Sequence, residues 1–217
     1  MIDLLNVDNM ELMAKYEDNH FDLAIVDPPY GIGADKQIKF GKHQRGLHKS
    51  CGWDSSIPGK EYFIELFRIS KNQVIWGGNY FINNLYNTKS FIVWDKMNGT
   101  NNLADCELAW TSLDKPVRLY RRHIFTGVGN TNYITIHPTQ KPVKLYEWLL
   151  INYAKEGDKI LDTHLGSGSI AIACHNYGFD LVGCEMDKEY YDAMMNRYNN
   201  HIAQQSLFID NQDNNEN

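Results

Sequence analysis

Apolar positions in this chain come in short runs that alternate between two periods. Residues 21–26 (FDLAIV), 73–76, 91–94 (FIVW), 159–161 (KIL) and 181–184 are short, largely apolar and lack clean polar alternation, which predicts buried strands. Residues 2–6, 106–111 (CELAWT) and 117–121 add three more strand candidates. Helical spacing appears at 61–69 (EYFIELFRI), 170–177 and 142–153, the last with proline in its first turn. Residues 8–16 predict another helix, capped by Asp8 or Asn9. Strands interleaved with helices predict an α/β fold with a doubly wound, mostly parallel sheet. Residues 1–202 are expected to form a single domain. Within it, 31–58 is a long Gly, Lys and His loop expected to order on its substrate, and 113–136 is a small region expected to share target recognition with that loop. Residues 203–217 are polar and are expected to be a disordered tail.

Composition narrows this picture only slightly. The chain has 217 residues, ordinary charged and apolar fractions, no run long enough to span a membrane, and no signal-peptide pattern at its start. Four dispersed cysteines without a C-x-x-C pair point to a reducing, cytoplasmic setting and no zinc. His123, His137, His164 and His175 lack metal-ligand spacing, so no metal is expected.

The net charge of −6 argues against a nucleic-acid partner until its distribution is considered. Residues 31–60 hold six basic side chains against two acidic ones, and residues 115–154 hold six against one. Lys36, Lys39, Lys42, Arg45 and Lys49 in the first segment, with Arg118, Arg121 and Arg122 in the second, are therefore the candidate contacts to a polyanion.

Chemistry concentrates in two places. Asp27, Pro28, Pro29 and Tyr30 follow directly on the 21–26 strand. Two consecutive prolines fix two φ angles and remove two donors, so the chain leaves the sheet as a rigid arm. Ligands of open α/β sheets bind at that end of the strands. The Asp27 carboxylate and the Pro28 carbonyl are adjacent acceptors, and Tyr30 is a flat stacking surface, a set that suits a planar ring bearing an exocyclic amine. The second place is residues 162–169 (DTHLGSGS), set between a strand and a helix, with Glu185 at the tip of the next strand. Glycines there allow a sharp turn and close approach of a ligand, and an acid about 20 positions on is where ribose hydroxyls are gripped. The spacing fits neither a phosphate-binding P-loop nor G-x-G-x-x-G, so a ligand with a ribose and no phosphate is expected, such as S-adenosylmethionine.

These motifs resemble, in order, those of the amino-methylating DNA methyltransferases in which the catalytic tetrapeptide precedes the cofactor loop. The likeness covers roughly residues 1–200 and rests on NVDNME, DPPY, WGGNYF (76–81), FIVWDK (91–96), ELAWTS (107–112), HPTQKP (137–142), DTHLGSGS and GCEMDKEYY (183–191). It implies a seven-stranded methyltransferase sheet, S-adenosylmethionine as cofactor, and double-stranded DNA as partner. It further implies that Asp27 and the Pro28 carbonyl hold the target amine while Tyr30 stacks on the flipped base. Asp8 is implied near the cofactor's adenine and Glu185 on its ribose, with Thr139, Lys141, Asp162, Gly166, Ser167 and Gly168 along its pocket. Asp rather than Ser at the first catalytic position leans toward adenine N6. The alternatives are cytosine N4, RNA, or a domain that binds without turnover. The family usually has Pro and Phe where Thr163 and His164 stand. Gln204, Gln205, Ser206, Leu207 and Phe208 resemble a peptide that binds the sliding clamp, and a homodimer is a separate expectation.

Overall fold

Eight strands pair into one sheet in the order β1-β8-β7-β2-β3-β5-β4-β6. The computed structural model describes residues 1–34, 52–98, 104–123 and 135–213, with side chains as far as 204. The strands are β1 (Ile2–Leu5), β2 (Phe21–Val26), β3 (Ser70–Trp76), β4 (Phe91–Asp95), β5 (Cys106–Thr111), β6 (Arg118–Arg121), β7 (Lys159–Asp162) and β8 (Asp180–Cys184). The helices are α1 (Asn9–Met13), α2 (Lys60–Ile69), α3 (Val143–Tyr153), α4 (Ser169–Tyr177) and α5 (Lys188–Asp213). From β1 to β3 every pair is parallel, β5 is antiparallel to both of its neighbours, and β6 runs parallel to β4.

The short apolar runs are explained by burial on both faces. In β2, Leu23 and Ile25 join one core with Val74, Trp76, Ile92, Trp94 and Ile160, covered by α3, α4 and α5. Ala24 and Val26 join the other core with Ile75 and Leu161, covered by α1 and α2. A strand that faces helices on both sides has no polar side to show, hence the continuous run. The helices wind on both faces, as expected.

Three boundaries differ from the sequence reading. Among the described residues the sheet has eight strands rather than the seven that the resemblance implied, and the candidate strand near 117–121 is the extra one, Arg118–Arg121 adding in parallel outside β4. The helix α1 ends at Met13, not near residue 16. The backbone of α5 continues to Asp213, past the expected domain end at 202 and through residues 204–208. A formed helix adds a hydrogen bond for each further residue, so polar sequence alone does not end it. Side chains from 205 onward lie outside the described residues, as do residues 35–51 with Lys36, Lys39, Lys42, Arg45 and Lys49. No helix among the described residues is long and apolar enough to cross a membrane.

Candidate active site

The end of β2 delivers Asp27 to the carboxyl edge of the sheet. Its Oδ1 accepts a hydrogen bond from the Tyr30 hydroxyl at 2.6 Å, and its Oδ2 pairs with the Lys141 ammonium. Lys141 Nζ also lies 3.1 Å from Glu107 Oε2, and Lys96 Nζ holds Glu107 Oε1 at 2.5 Å. Burial pushes the Asp27 carboxyl above the usual range, a push that Lys141 opposes and Glu107 adds to. Burial would also raise Glu107, but Lys141 and Lys96 together hold it down at about 2.

The Tyr30 ring stacks on Tyr80, with centroids 5.0 Å apart and planes 14° from parallel. Gly77 makes this possible. Its φ is +72°, and a Cβ there would fall 2.3 Å from the Tyr30 ring. Past the tetrapeptide, the buried Asp54 carboxylate accepts from the backbone N–H of Gly31 and of Ala34, each at 2.8 Å, and so fixes the arm from behind.

At the other half of the site, the β7–α4 loop turns through Gly166 and Gly168, both in the left-handed region. Gly166 N–H donates to Glu185 Oε2 at 2.9 Å, and Asp187 N–H donates to Glu185 Oε1 at 2.9 Å. His164 Nε2 meets Asn9 Nδ2 at 3.0 Å and its Nδ1 meets Thr163 Oγ1 at 2.9 Å, while Thr163 in turn bonds the Tyr62 hydroxyl at 2.7 Å. A polar chain therefore stands where the resemblance led to an expectation of Pro and Phe. Burial drives Asp162 up to about 8 and His164 down to about 4, so both favour their neutral forms.

These two halves open on one cavity of about 1000 Å³, lined among others by Asp8, Asp27, Pro29, Thr139, Lys141, His164, Gly166, Ser167 and Glu185. Among the described residues no group of His, Cys, Asp or Glu is arranged to hold a metal ion.

Residues 109–196 match the N6/N4 methyltransferase family, described as a DNA methylase. The chain is 26% identical to the type II methyltransferase M.HpaI of Haemophilus parainfluenzae, over 87% of this chain and 71% of that one. It is also 26% identical to the type II methyltransferase M2.DpnII of Streptococcus pneumoniae, over 86% and 85% of the two chains. Over these spans the chain is similar to the amino-methylating DNA methyltransferases. Solved structures share its fold. The M1.HpyAVI–SAM complex superposes with a TM-score of 0.60 at 22% identity, covering 92% of this chain and all of that one. The cytosine-N4-specific PvuII DNA methyltransferase gives 0.61 at 14% identity, over 91% and 86%.

In this chain the structure brings most of the expected residues together and redirects some. Asp8, Thr139, Gly166, Ser167 and Glu185 line the cavity. Asp8 additionally caps α1, its Oδ1 accepting from Met10 N at 2.8 Å. Lys141 lines the cavity as well and turns its ammonium onto Asp27 and Glu107. Asp162 lies buried behind the loop, and Gly168 serves packing, since a Cβ there would meet Met194 at 2.4 Å. Arg121 and Arg122 reach the carboxyl edge of the sheet, where Arg121 pairs with Asp95 at 3.1 Å, whereas Arg118 opens β6 at the opposite end. The sequence reading gave no role to Glu107, Lys96, Tyr80 or Asp54. The available signal was a charge immediately beside an apolar strand run, in FIVWDK and ELAWTS.

Proposed function

We propose that this chain transfers a methyl group from S-adenosylmethionine to the exocyclic N6 amine of a flipped adenine in double-stranded DNA. The observation that carries this reading is the single cavity that joins Asp27 to the glycine loop and Glu185. The residues present fit the cofactor. The loop N–H of Gly166 is already taken by Glu185, and the walls carry Asp8, Asp27, Glu185 and Asp187, which disfavours a phosphate and favours a cation. Glu185 keeps acceptor capacity for ribose hydroxyls, with Asp8, Thr139 and Ser167 along the same wall. Bound there, S-adenosylmethionine supplies an electrophilic methyl group on a sulfonium.

The chain's own residues supply the rest. Tyr30 offers a ring face that offsets part of the few kcal/mol needed to flip a base, once Tyr80 yields its place. Asp27 and the Pro28 carbonyl accept the two amine N–H groups, which turns the nitrogen lone pair out of the ring and toward the donor. Alignment of that kind is worth several powers of ten in rate. Asp27, raised by burial, also serves as acceptor for the proton released after transfer. Asp at the first catalytic position favours adenine over cytosine N4, although both bases present the same amine. DNA contacts are assigned to the basic side chains of residues 36–49 and to Arg121 and Arg122.

The test is incorporation of labelled methyl from S-adenosylmethionine into unmethylated DNA, followed by digestion to nucleosides. Label is expected on adenine, with a loss on the order of a hundredfold or more in Asp27→Ala. Label on cytosine would overturn the choice of base, and none on DNA would overturn the reading.

A further inference from the structure

The carboxylate assigned to the target amine already has protein donors on both oxygens, Tyr30 on Oδ1 and Lys141 on Oδ2. Lys141 is only 2% exposed, and its ammonium has three partners: Asp27, Glu107 Oε2 at 3.1 Å and the Tyr30 hydroxyl at 3.3 Å. It also sits 5.4 Å from the Trp76 ring centroid and 5.7 Å from that of Tyr30. The second oxygen of Glu107 is held by Lys96. Charge thus alternates along Lys96, Glu107, Lys141 and Asp27, and sums to zero. A carboxylate with only 14% of its side chain exposed holds its charge more readily while a cation stays beside it. Yet an ammonium fixed on Asp27 alone would compete with the amine that must bind there. Lys141 meets both demands because a second anion lies within reach of the same nitrogen. The ammonium can withdraw from Asp27 without leaving a buried charge unpaired.

We propose that Glu107, held in place by Lys96, is a positioning residue for methyl transfer: it shares Lys141 with Asp27, and it takes the ammonium when the target amine arrives. This rests on the methyl-transfer reading above. No bond is made or broken in the exchange; one donor replaces another on Asp27. The titratable groups that face Asp27 come from every packed element: the charged Lys141 before α3 and Glu107 from β5, and the neutral Tyr30 after β2, Tyr62 from α2, Tyr146 from α3 and Asp162 from β7.

The test is the single-turnover rate of methyl transfer to DNA as a function of pH, for wild type, Lys141→Met, Glu107→Gln and Lys96→Met, with thermal unfolding to identify folded variants. Removing the cation in Lys141→Met should move the acid limb of the profile up by about 1 to 3 pH units, so that rate recovers as pH rises. Removing the competing carboxylate in Glu107→Gln should move the limb down. It should also lower the plateau rate, on the order of tenfold, because Lys141 then has Asp27 as its sole anion. Lys96→Met, at the edge of the group, frees Glu107 to draw on Lys141 and should move the limb up by less, which keeps the idea testable if a deeper variant fails to fold. Opposite shifts support the exchange. Folded variants whose limbs coincide with wild type, or all shift the same way, would overturn it. A wild type that puts no methyl on DNA would overturn the reading beneath it, a distinct failure visible before any variant is compared.

Discussion

Gly77 and Gly178 share one backbone conformation and differ in what surrounds them. Both have φ +72° and ψ 24°. A Cβ at Gly178 would meet nothing within 4 Å, whereas at Gly77 it would strike the Tyr30 ring. An L side chain in the left-handed region costs about 1–2 kcal/mol, so Gly178→Ala should lower the free energy of urea unfolding by that amount and leave methyl transfer intact. Gly77→Ala should add an overpacking cost of about 1–3 kcal/mol and displace the stacking ring, cutting transfer rate by at least tenfold in the same assay. Equal activity in the two variants would show that the Tyr30 position does not matter. The dipeptide Gly77-Gly78 is visible in the sequence as a strand-ending turn, but nothing local says that the ring lying on it comes from Tyr30, on a different strand's exit.

At the scale of an element, the loop between β7 and α4 carries two buried groups with opposed pH dependence. Asp162 holds its proton in the fold, with its pKa raised to about 8, so its contribution to stability is complete below its ordinary range and is lost as pH rises toward 8. His164 stays neutral in the fold, with its pKa lowered to about 4, so its contribution is present above its ordinary 6.5 and is lost as pH falls toward 4. Between 4 and 6.5 the two oppose each other; between 6.5 and 8 Asp162 acts alone. Urea midpoints at pH 5, 6.5 and 8 should therefore fall for wild type over the upper interval, and Asp162→Asn should remove that fall. His164→Phe should remove the acid-side loss and leave a decline across the whole range. The element itself was legible from the order strand, glycine loop, helix, strand, acid. The neutral states of Asp162 and His164 were not, because they depend on burial by elements distant in sequence, for His164 by Asn9 of α1 and Tyr62 of α2, which no residue of the loop encodes.

Over the whole molecule, charge is segregated despite the net −6. Acidic residues crowd the first 30 positions and those after 154, while the two basic segments carry the surplus of Lys and Arg. Affinity for DNA should fall steeply with salt, the logarithmic slope losing about 0.9 for each phosphate contact removed. Filter binding or anisotropy titrations from low to moderate salt should show that slope flatten when Lys36, Lys39, Lys42, Arg45 and Lys49 are all changed to Ala. A parallel displacement without flattening would place the contacts elsewhere.

What the sequence determined by itself is the set of local units. Apolar runs marked the strands, helical spacing marked α2, α3 and α4, and the prolines of 27–30 and the glycines of 166–168 marked where the chain leaves the sheet. Each follows from steric and burial rules acting over a few residues. The tertiary structure alone decided who meets whom. Lys141 reaches Asp27 across 114 positions. Glu107 joins them because β5 runs antiparallel beside β3, which brings its first residues to the edge where β2 and β3 end. Lys96 arrives there because β4 reverses again beside β5. Strand order and direction depend on which pairings bury both faces at once, and periodicity carries no record of that choice.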